Sequence, residues 1–598
     1  MSRLPPRPAL DWPDPSTPRS AETDDVYFSG DGLAEKRAVF LEGCGLPDGW
    51  QGRERFAIGE LGFGTGLAFL AAWDLWRRNR PSPTARLNFL SFERALMSAA
   101  DAARIHAAWP ELAEPSRQLV ARWPDRARGV QRIALDDGVT LTLCIDEIAS
   151  ALPQAEARID AWFLDGFAPS KNPAMWTAET LVHVARLSAP GARAATYTVA
   201  GDVRRGLEAA GFSVEKKPGV GRKRERLEAR FPGEAASPAS PRSVLIVGAG
   251  VAGASCASAF LKRGCEVTVV DAGDAPGAGA SGNALALVMP RLDAADGPVA
   301  RALLEAWLLA RRAWLDLGPD AAIPLDVTHL PRGDAERSRF TRLLADPPLD
   351  ETLLAPFDPG EPSAGVVHRG AIAVRPATAL PALLRGARLR FGVEVAAVSQ
   401  AGPQPTATLT NGETLAADMI VICAGMGAAN IEDLGCPPLE GRLGQIEQAS
   451  SPDAAPRAIA DGGYAVEAFG DLVFGATFEP ADGEPVVTDA ARATNLDTLR
   501  RLRPKLADAV GPITSRAAIR ATTRDRLPFA GAPSPLEGAR CDGVRLIGGL
   551  GSRGFLWAPL LAEMIASAAC CEPAPVERYV AELLDPDRFR RRALRRGP

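Results

Sequence analysis

The chain has 598 residues, more than one hydrophobic core normally organises, so two or three domains are expected. Apolar residues make up 46% of it, which excludes disorder as its main state, and the Ala, Gly, Pro and Arg richness reads as genomic bias. A formal net charge of −5 excludes a uniformly basic coat for nucleic acid and leaves that task to local patches.

The start, Met1-Ser2-Arg3-Leu4-Pro5-Pro6-Arg7-Pro8, lacks the apolar segment of a secretory signal, and nowhere do about 18 uncharged apolar residues run together. A soluble, cytoplasmic chain without membrane contact is expected. The nine cysteines include no Cys-x-x-Cys pair and no Cys/His cluster at zinc spacing, so neither structural disulfides nor a metal site is expected. Nothing sets the oligomeric state, and a monomer fits.

In the first half an apolar run, Arg55 to Ile58, leads into Glu60-Leu61-Gly62-Phe63-Gly64-Thr65-Gly66. Further strand-like runs at 87–92, 141–145, 161–164 and 194–199 alternate with helical patterns, which predicts a wound α/β sheet with ligands at the strand C-termini. An acid precedes the glycines, and Gly64 and Gly66 are spaced for a tight bend rather than for pyrophosphate. Glu93 and Asp146 each follow a strand-like run and read either as cofactor contacts or as solvated strand-end acids. Phe163-Leu164-Asp165-Gly166-Phe167-Ala168-Pro169-Ser170-Lys171-Asn172-Pro173-Ala174-Met175-Trp176 puts an acid at a strand end before a proline-pinned loop. Trp176 reads as core.

Residues 231–241 are small and proline-rich without apolar periodicity, which predicts a linker and a boundary near residue 235. The expected domains are 1–235 and 243–598, joined by 236–242.

The second half opens with the apolar run Ser243 to Val247, then Gly248-Ala249-Gly250-Val251-Ala252-Gly253, a helical stretch, and Glu266-Val267-Thr268-Val269-Val270 ending at Asp271. This is one βαβ nucleotide unit: Gly248 for the turn, Gly250 for approach to pyrophosphate, Gly253 for helix packing, Asp271 for a ribose hydroxyl. The fingerprint alone leaves FAD, NAD and NADP open.

Gly279-Ala280-Ser281-Gly282-Asn283, Val421 to Gly425, Arg520 to Gly531 and Leu546 to Phe555 add context. Together these segments resemble the glycine oxidase and D-amino-acid oxidase group, over roughly 243–575. The resemblance implies FAD, contacted by Ser281, Gly282, Asn283, Gly551, Ser552, Gly554, Phe555 and the backbone of Val395. It further implies that Arg520 and Arg553 face a substrate carboxylate, a task suited to the two-pronged guanidinium. The competing reading is that one of them only salt-bridges Asp525 or another acid. Where the group has a glycine after Asn283, this chain runs Ala284-Leu285-Ala286-Leu287-Val288-Met289.

The Glu60 to Gly66 turn resembles the first motif of Rossmann-like S-adenosylmethionine methyltransferases, which implies that Glu60, Gly62, Gly64, Gly66, Glu93 and Asp146 surround that cofactor and that Asp165 serves the amine. Freeing the lone pair of a lysine-like amine at neutral pH costs about 4 kcal/mol. A carboxylate that accepts a proton or hydrogen bond offsets part of that.

Taken with Asp24-Asp25-Val26-Tyr27-Phe28-Ser29, Gly32-Leu33-Ala34-Glu35 and Gly221-Arg222-Lys223-Arg224-Glu225, in this order, the chain resembles the MnmC family, bifunctional tRNA wobble-uridine modification enzymes, over nearly its full length. The implied fold class is α/β: a Rossmann-like methyltransferase domain joined to an FAD-binding Rossmann domain with an inserted antiparallel-sheet substrate subdomain near 296–365 and 436–512. The implied activity is oxidative removal of the carboxymethyl group from 5-carboxymethylaminomethyl-(2-thio)uridine, followed by N-methylation. The tRNA anticodon loop is the implied partner. Arg222 to Arg224 with Arg226, and Arg588 to Arg592 with Arg595 and Arg596, are candidate phosphate contacts or solvated charged faces. Two other readings remain: an amino-acid oxidase fused to a small-molecule methyltransferase, and a tRNA-binding protein with one inactive half, the latter motivated by the run around Ala286.

Overall fold

A computed structural model describes the chain apart from residues 1–2, 15–16, 29, 220–223, 235–239, 359, 401, 433, 452–455, 482, 534–542 and 597–598. It divides into two compact units, Met1–Ser240 with Ser567–Arg578 and Pro241–Ala566 with Tyr579–Pro598. A single boundary near residue 235 does not anticipate the return of 567–578 to the first unit. There the carboxylate of Glu572, fully buried, meets Arg132 at 2.7 Å and Arg86 at 3.4 Å.

The first unit is built on eight strands: β1 (Arg55–Leu61), β2 (Arg86–Glu93), β3 (Gly129–Ala134), β4 (Val139–Ile145), β5 (Ile159–Leu164), β6 (Ser188–Thr196), β7 (Ser213–Pro218) and β8 (Glu225–Arg230). Their order is β7-β8-β6-β5-β1-β2-β4-β3. The central neighbours β6, β5, β1, β2 and β4 run parallel, while β3 and the β7–β8 hairpin are antiparallel. A parallel sheet covered on both faces needs apolar residues at successive positions, and β1, β4 and β5 are buried nearly throughout. Gly59 makes room for its neighbour: a Cβ there would stand 2.5 Å from the Trp162 ring. Before β1, three two-residue strands, Leu10–Asp11, Arg19–Ser20 and Asp25–Val26, form a small antiparallel sheet.

The second unit holds a six-stranded sheet of β9 (Ser243–Val247), β10 (Glu266–Asp271), β11 (Arg388–Phe391), β12 (Met419–Ile422), β13 (Phe529–Gly531) and β14 (Val544–Gly548), ordered β11-β10-β9-β12-β14-β13. All neighbours are parallel except β13–β14. A ten-stranded sheet, running from Ala286–Val288 to Thr514–Thr522, forms the inserted subdomain. It is antiparallel apart from one parallel pair, Ala322–His329 with Arg457–Ala460, and it reaches beyond 296–365 and 436–512 at both ends. Among the described residues no helix is long and apolar enough to cross a membrane.

Candidate active sites

In the first unit the chain turns sharply between β1 and the helix Leu67–Asn79. Gly62, Gly64 and Gly66 have φ of 93°, 52° and 75°, the left-handed region that side chains avoid. Backbone N–H groups of Gly62 and Phe63 donate to the Phe92 carbonyl at the end of β2. Glu93 braces the loop: its carboxylate accepts from Gly64 N at 2.9 Å and from Ala95 N at 2.8 Å. This turn is one wall of a cavity of about 520 Å³, also lined by Asp146, Asp165, Phe167 and Tyr27. A ligand of nucleoside size fits such a volume.

Gly62, Gly64, Glu93, Asp146 and Asp165 all line this cavity. Glu60 does not. Its side chain is wholly buried beneath the turn, where one oxygen accepts from Ser91 Oγ at 2.6 Å and the other has no partner among the described residues. Burial and then the neighbouring Asp165 push the Glu60 carboxyl well above the usual carboxylate range. Gly66 shapes the turn from behind; a Cβ there would touch the Phe63 ring at 3.0 Å. Asp146 is held by Arg128 Nη1 at 3.0 Å and caps Glu147 N at 2.9 Å.

Asp165 directly follows β5 and forms an ion pair with Lys36, a residue that sequence reasoning missed. Both side chains are nearly enclosed, at 11% and 7% exposure, yet both line the cavity. The loop that follows is pinned from several sides. Trp176 is buried, as its core reading expects, and its indole donates to the Phe167 carbonyl at 2.9 Å. Asp25 accepts from Ala168 N at 3.1 Å, and Tyr197 Oη donates to the Gly166 carbonyl. Burial, with Asp165 nearby, raises the Tyr197 phenol, so its proton stays in place for that bond.

In the second unit the fingerprint glycines each answer a steric demand. A Cβ on Gly253 would lie 1.7 Å from the Gly248 carbonyl, and one on Gly248 2.5 Å from the Cys423 carbonyl. Gly250 opens the helix Val251–Leu261, whose first N–H, Val251 N, donates to Ser281 Oγ at 3.0 Å. Asp271 accepts from Ala249 N at 2.5 Å and Gly273 N at 2.7 Å. Beside it, Val393 N donates to the Asp271 carbonyl, and Val395 packs in the core with Val270. Arg516 ties Asn283 Oδ1 at 3.2 Å to the carbonyls of Ala278 and Gly279; a Cβ on Gly282 would strike this arginine. These residues fit a dinucleotide with its pyrophosphate at the helix N-terminus.

The strand Thr514–Thr522 carries Arg520 on the face that holds Arg516. Gly551 N donates to the Ala521 carbonyl, so the turn bearing Gly551, Ser552 and Arg553 is stitched to this strand. Gly554 starts the helix Gly554–Ala569 against Val251; a Cβ there would meet its methyl at 3.1 Å. Phe555 gives its carbonyl to Trp314 Nε1 at 2.7 Å.

Neither Arg520 nor Arg553 pairs with a carboxylate among the described residues. Arg520 Nη1 donates to the Thr477 carbonyl at 3.0 Å. Burial first, then Arg291, brings the Arg553 guanidinium down to about 10. Asp525 is engaged elsewhere, by Arg588 at 3.0 Å and Arg592 at 2.5 Å, which removes the competing reading for both arginines. The same pairing takes Arg588 out of the terminal basic run as a candidate phosphate contact, since its side chain is buried against Asp525. In the other basic segment Arg226 is neutralised by Glu228 at 2.7 Å. Gly221, Arg222 and Lys223 lie outside the described residues, as does Ser29. The departure after Asn283 is absorbed as sheet: Ala286–Val288 pairs antiparallel with Ile372 to Val374, and Leu285 is buried.

The folds and sites define a methyltransferase unit followed by a flavin oxidoreductase unit. Residues 110–232 match the family described as S-adenosyl-L-methionine-dependent methyltransferase, and 243–568 match FAD dependent oxidoreductase. A third match, pyridine nucleotide-disulphide oxidoreductase over 178–292, includes the glycine fingerprint, which these dinucleotide folds share. Among full-length relatives, the "tRNA 5-methylaminomethyl-2-thiouridine biosynthesis bifunctional protein MnmC" of Caulobacter vibrioides is 43% identical, covering 98% of both chains. That of Maricaulis maris is 42% identical, covering 98% of this chain and 97% of its own. A solved L-proline dehydrogenase from P. horikoshii is 18% identical, with a TM-score of 0.50 over 59% of this chain and 99% of that one, a likeness of fold. The chain belongs to the MnmC family.

Proposed function

We propose that this chain converts the 5-carboxymethylaminomethyl group of a tRNA wobble uridine into 5-aminomethyl and then 5-methylaminomethyl. The full-length relatives' printed names support the product. The observation that carries the first step is a pair of half-buried arginines, Arg520 and Arg553, without a carboxylate of their own among the described residues. Two cations partly withdrawn from water with no acid to offset them are costly unless a ligand completes them, and a substrate carboxylate does so. Held there, the methylene beside the carboxylate is oriented for oxidation. FAD, held by Gly248, Gly250, Gly253, Asp271, Ser281 and the turn from Gly551 to Phe555, supplies the two-electron acceptor. The resulting imine takes up water, releases glyoxylate and leaves a primary amine on the base.

That amine is the substrate of the first unit, where S-adenosylmethionine, held by the Gly62 to Gly66 turn, Glu93 and Asp146, supplies the methyl group. Asp165 accepts a hydrogen bond or proton from the incoming nitrogen and aims its lone pair. Lys36 is a positioning residue. Its ammonium already satisfies one Asp165 oxygen, and a second cation beside it is repelled, so the nitrogen enters neutral. Incubation with glycine and with tRNA bearing the carboxymethylaminomethyl group tests the assignment. Conversion of the tRNA with release of glyoxylate is expected; turnover of glycine without a tRNA product contradicts it.

A further inference from the structure

We propose that Phe478 is a stacking platform for the pyrimidine whose side chain is oxidised, and that Arg442 takes the adjoining phosphate; this rests on the tRNA reading above. Phe478 follows Thr477, whose carbonyl holds Arg520. The Phe478 ring centre lies 5.8 Å from the Arg520 guanidinium and 6.0 Å from that of Arg442. Arg442 and Arg520 are direct register partners between the antiparallel strands Glu440–Ser450 and Thr514–Thr522, so the two cations and the ring share one face.

Each part of this arrangement is unfavourable in isolation. Like charges directly opposite each other weaken a sheet, by up to about 1 kcal/mol. A ring recruited only to cover an arginine would be buried, yet Phe478 is 47% exposed. Gly444 reinforces the geometry from the opposite strand: a Cβ there would stand 2.1 Å from Arg520 Nη1, so the absent side chain leaves the guanidinium its place. Arg442 also pairs with Glu440 at 3.0 Å, an exposed contact weak enough for a phosphate to replace.

The chemistry of the substrate accounts for all three groups. From the pyrimidine C5 to the carboxylate carbon is four single bonds, roughly 5 Å. With the carboxylate on Arg520, the pyrimidine ring therefore comes within stacking reach of Phe478. A flat base stacks on an exposed ring irrespective of its hydrogen-bonding edge, and Arg442 at the rim matches the nucleotide's own phosphate. A free amino acid would use Arg520 and Arg553 but leave Phe478 and Arg442 idle.

The test is steady-state oxidation of tRNA bearing the modified wobble uridine by the full-length holoenzyme, with Phe478→Ala, Phe478→Leu and Phe478→Trp. Flavin absorbance checks the fold of each variant. Loss of stacking raises KM by ~5- to 100-fold in Phe478→Ala and Phe478→Leu, with kcat within about threefold, while Phe478→Trp stays near wild type. A Phe478→Leu enzyme with unchanged KM overturns the proposal, because apolar bulk alone would then suffice; so does a loss confined to kcat. A uridine-containing anticodon stem-loop should also quench the added indole of Phe478→Trp relative to wild type. That readout needs no turnover, so if wild-type enzyme leaves tRNA unoxidised, the activity assignment fails while quenching still decides the stacking. Absence of quenching overturns it.

Discussion

Asp165 and Arg553 stand in separate units, so their substitution separates two chemistries. Asp165→Ala should lower methyl transfer by at least about 100-fold, in line with loss of a positioned acid-base group, while the aminomethyl product still forms. Arg553→Ala should stop the chain at the carboxymethylaminomethyl stage yet methylate tRNA already carrying the free amine. Nucleoside mass spectrometry of the treated tRNA reads both. Residues that answer a steric demand were legible in the sequence. Gly248, Gly253 and Gly62 sit where a side chain cannot, and a glycine pattern encodes that directly. Lys36 was not legible, because its partner Asp165 lies 129 residues away and no local pattern marks an ion pair over such a separation. Glu60 matched a motif, but which way a strand-end side chain points depends on the pleat, and it points into the core.

At the level of elements, charge runs proved readable as charge and unreadable as partner. The helix Arg588–Arg596 is anchored through Arg588 and Arg592 to Asp525, whose carboxyl is held well below its ordinary range by those guanidinium groups against the cost of burial. A depressed carboxyl stabilises above its unfolded pKa, near 4, and that contribution is lost as pH falls below it. Asp525→Asn should therefore increase hydrogen exchange across 588–596 at neutral pH and flatten the acid loss of that anchor. Unchanged exchange would show that the pairing contributes nothing.

The inserted sheet holds a second pH-sensitive element, His329 and His368, with ring nitrogens 3.4 Å apart. Burial lowers His329 to about 4 and His368 to about 3; Arg339, Glu336, Asp461 and Arg291 also act on His329, and Arg339 on His368. Both rings are neutral in the fold and would protonate near 6.5 when unfolded. The unfolded state binds more protons in this window, so stability falls as pH drops from about 7 to about 4, by roughly 3 kcal/mol for His329 alone. Thermal melts of His329→Phe/His368→Phe should show a shallower slope there. An unchanged slope would show that these two rings do not set it.

For the molecule as a whole, the alternation of strands and helices made the wound sheets legible, and the order of motifs made the pairing of cofactors legible. The second crossing of the chain at 567–578 was not. It depends on Glu572 meeting Arg132 and Arg86 more than 400 residues earlier, as in the separation of 440 positions between Arg132 and Glu572. Long-range ion pairs of this kind leave no periodic trace in a sequence.

The central claim is an ordered pair of reactions on one tRNA base, with the flavin unit acting first. Wobble nucleosides from tRNA treated with the holoenzyme, with and without S-adenosylmethionine, test it most directly by mass spectrometry. The aminomethyl base is expected without the methyl donor and the methylaminomethyl base with it. A methylated base that still carries its carboxymethyl group, or tRNA unchanged under both conditions, would contradict it.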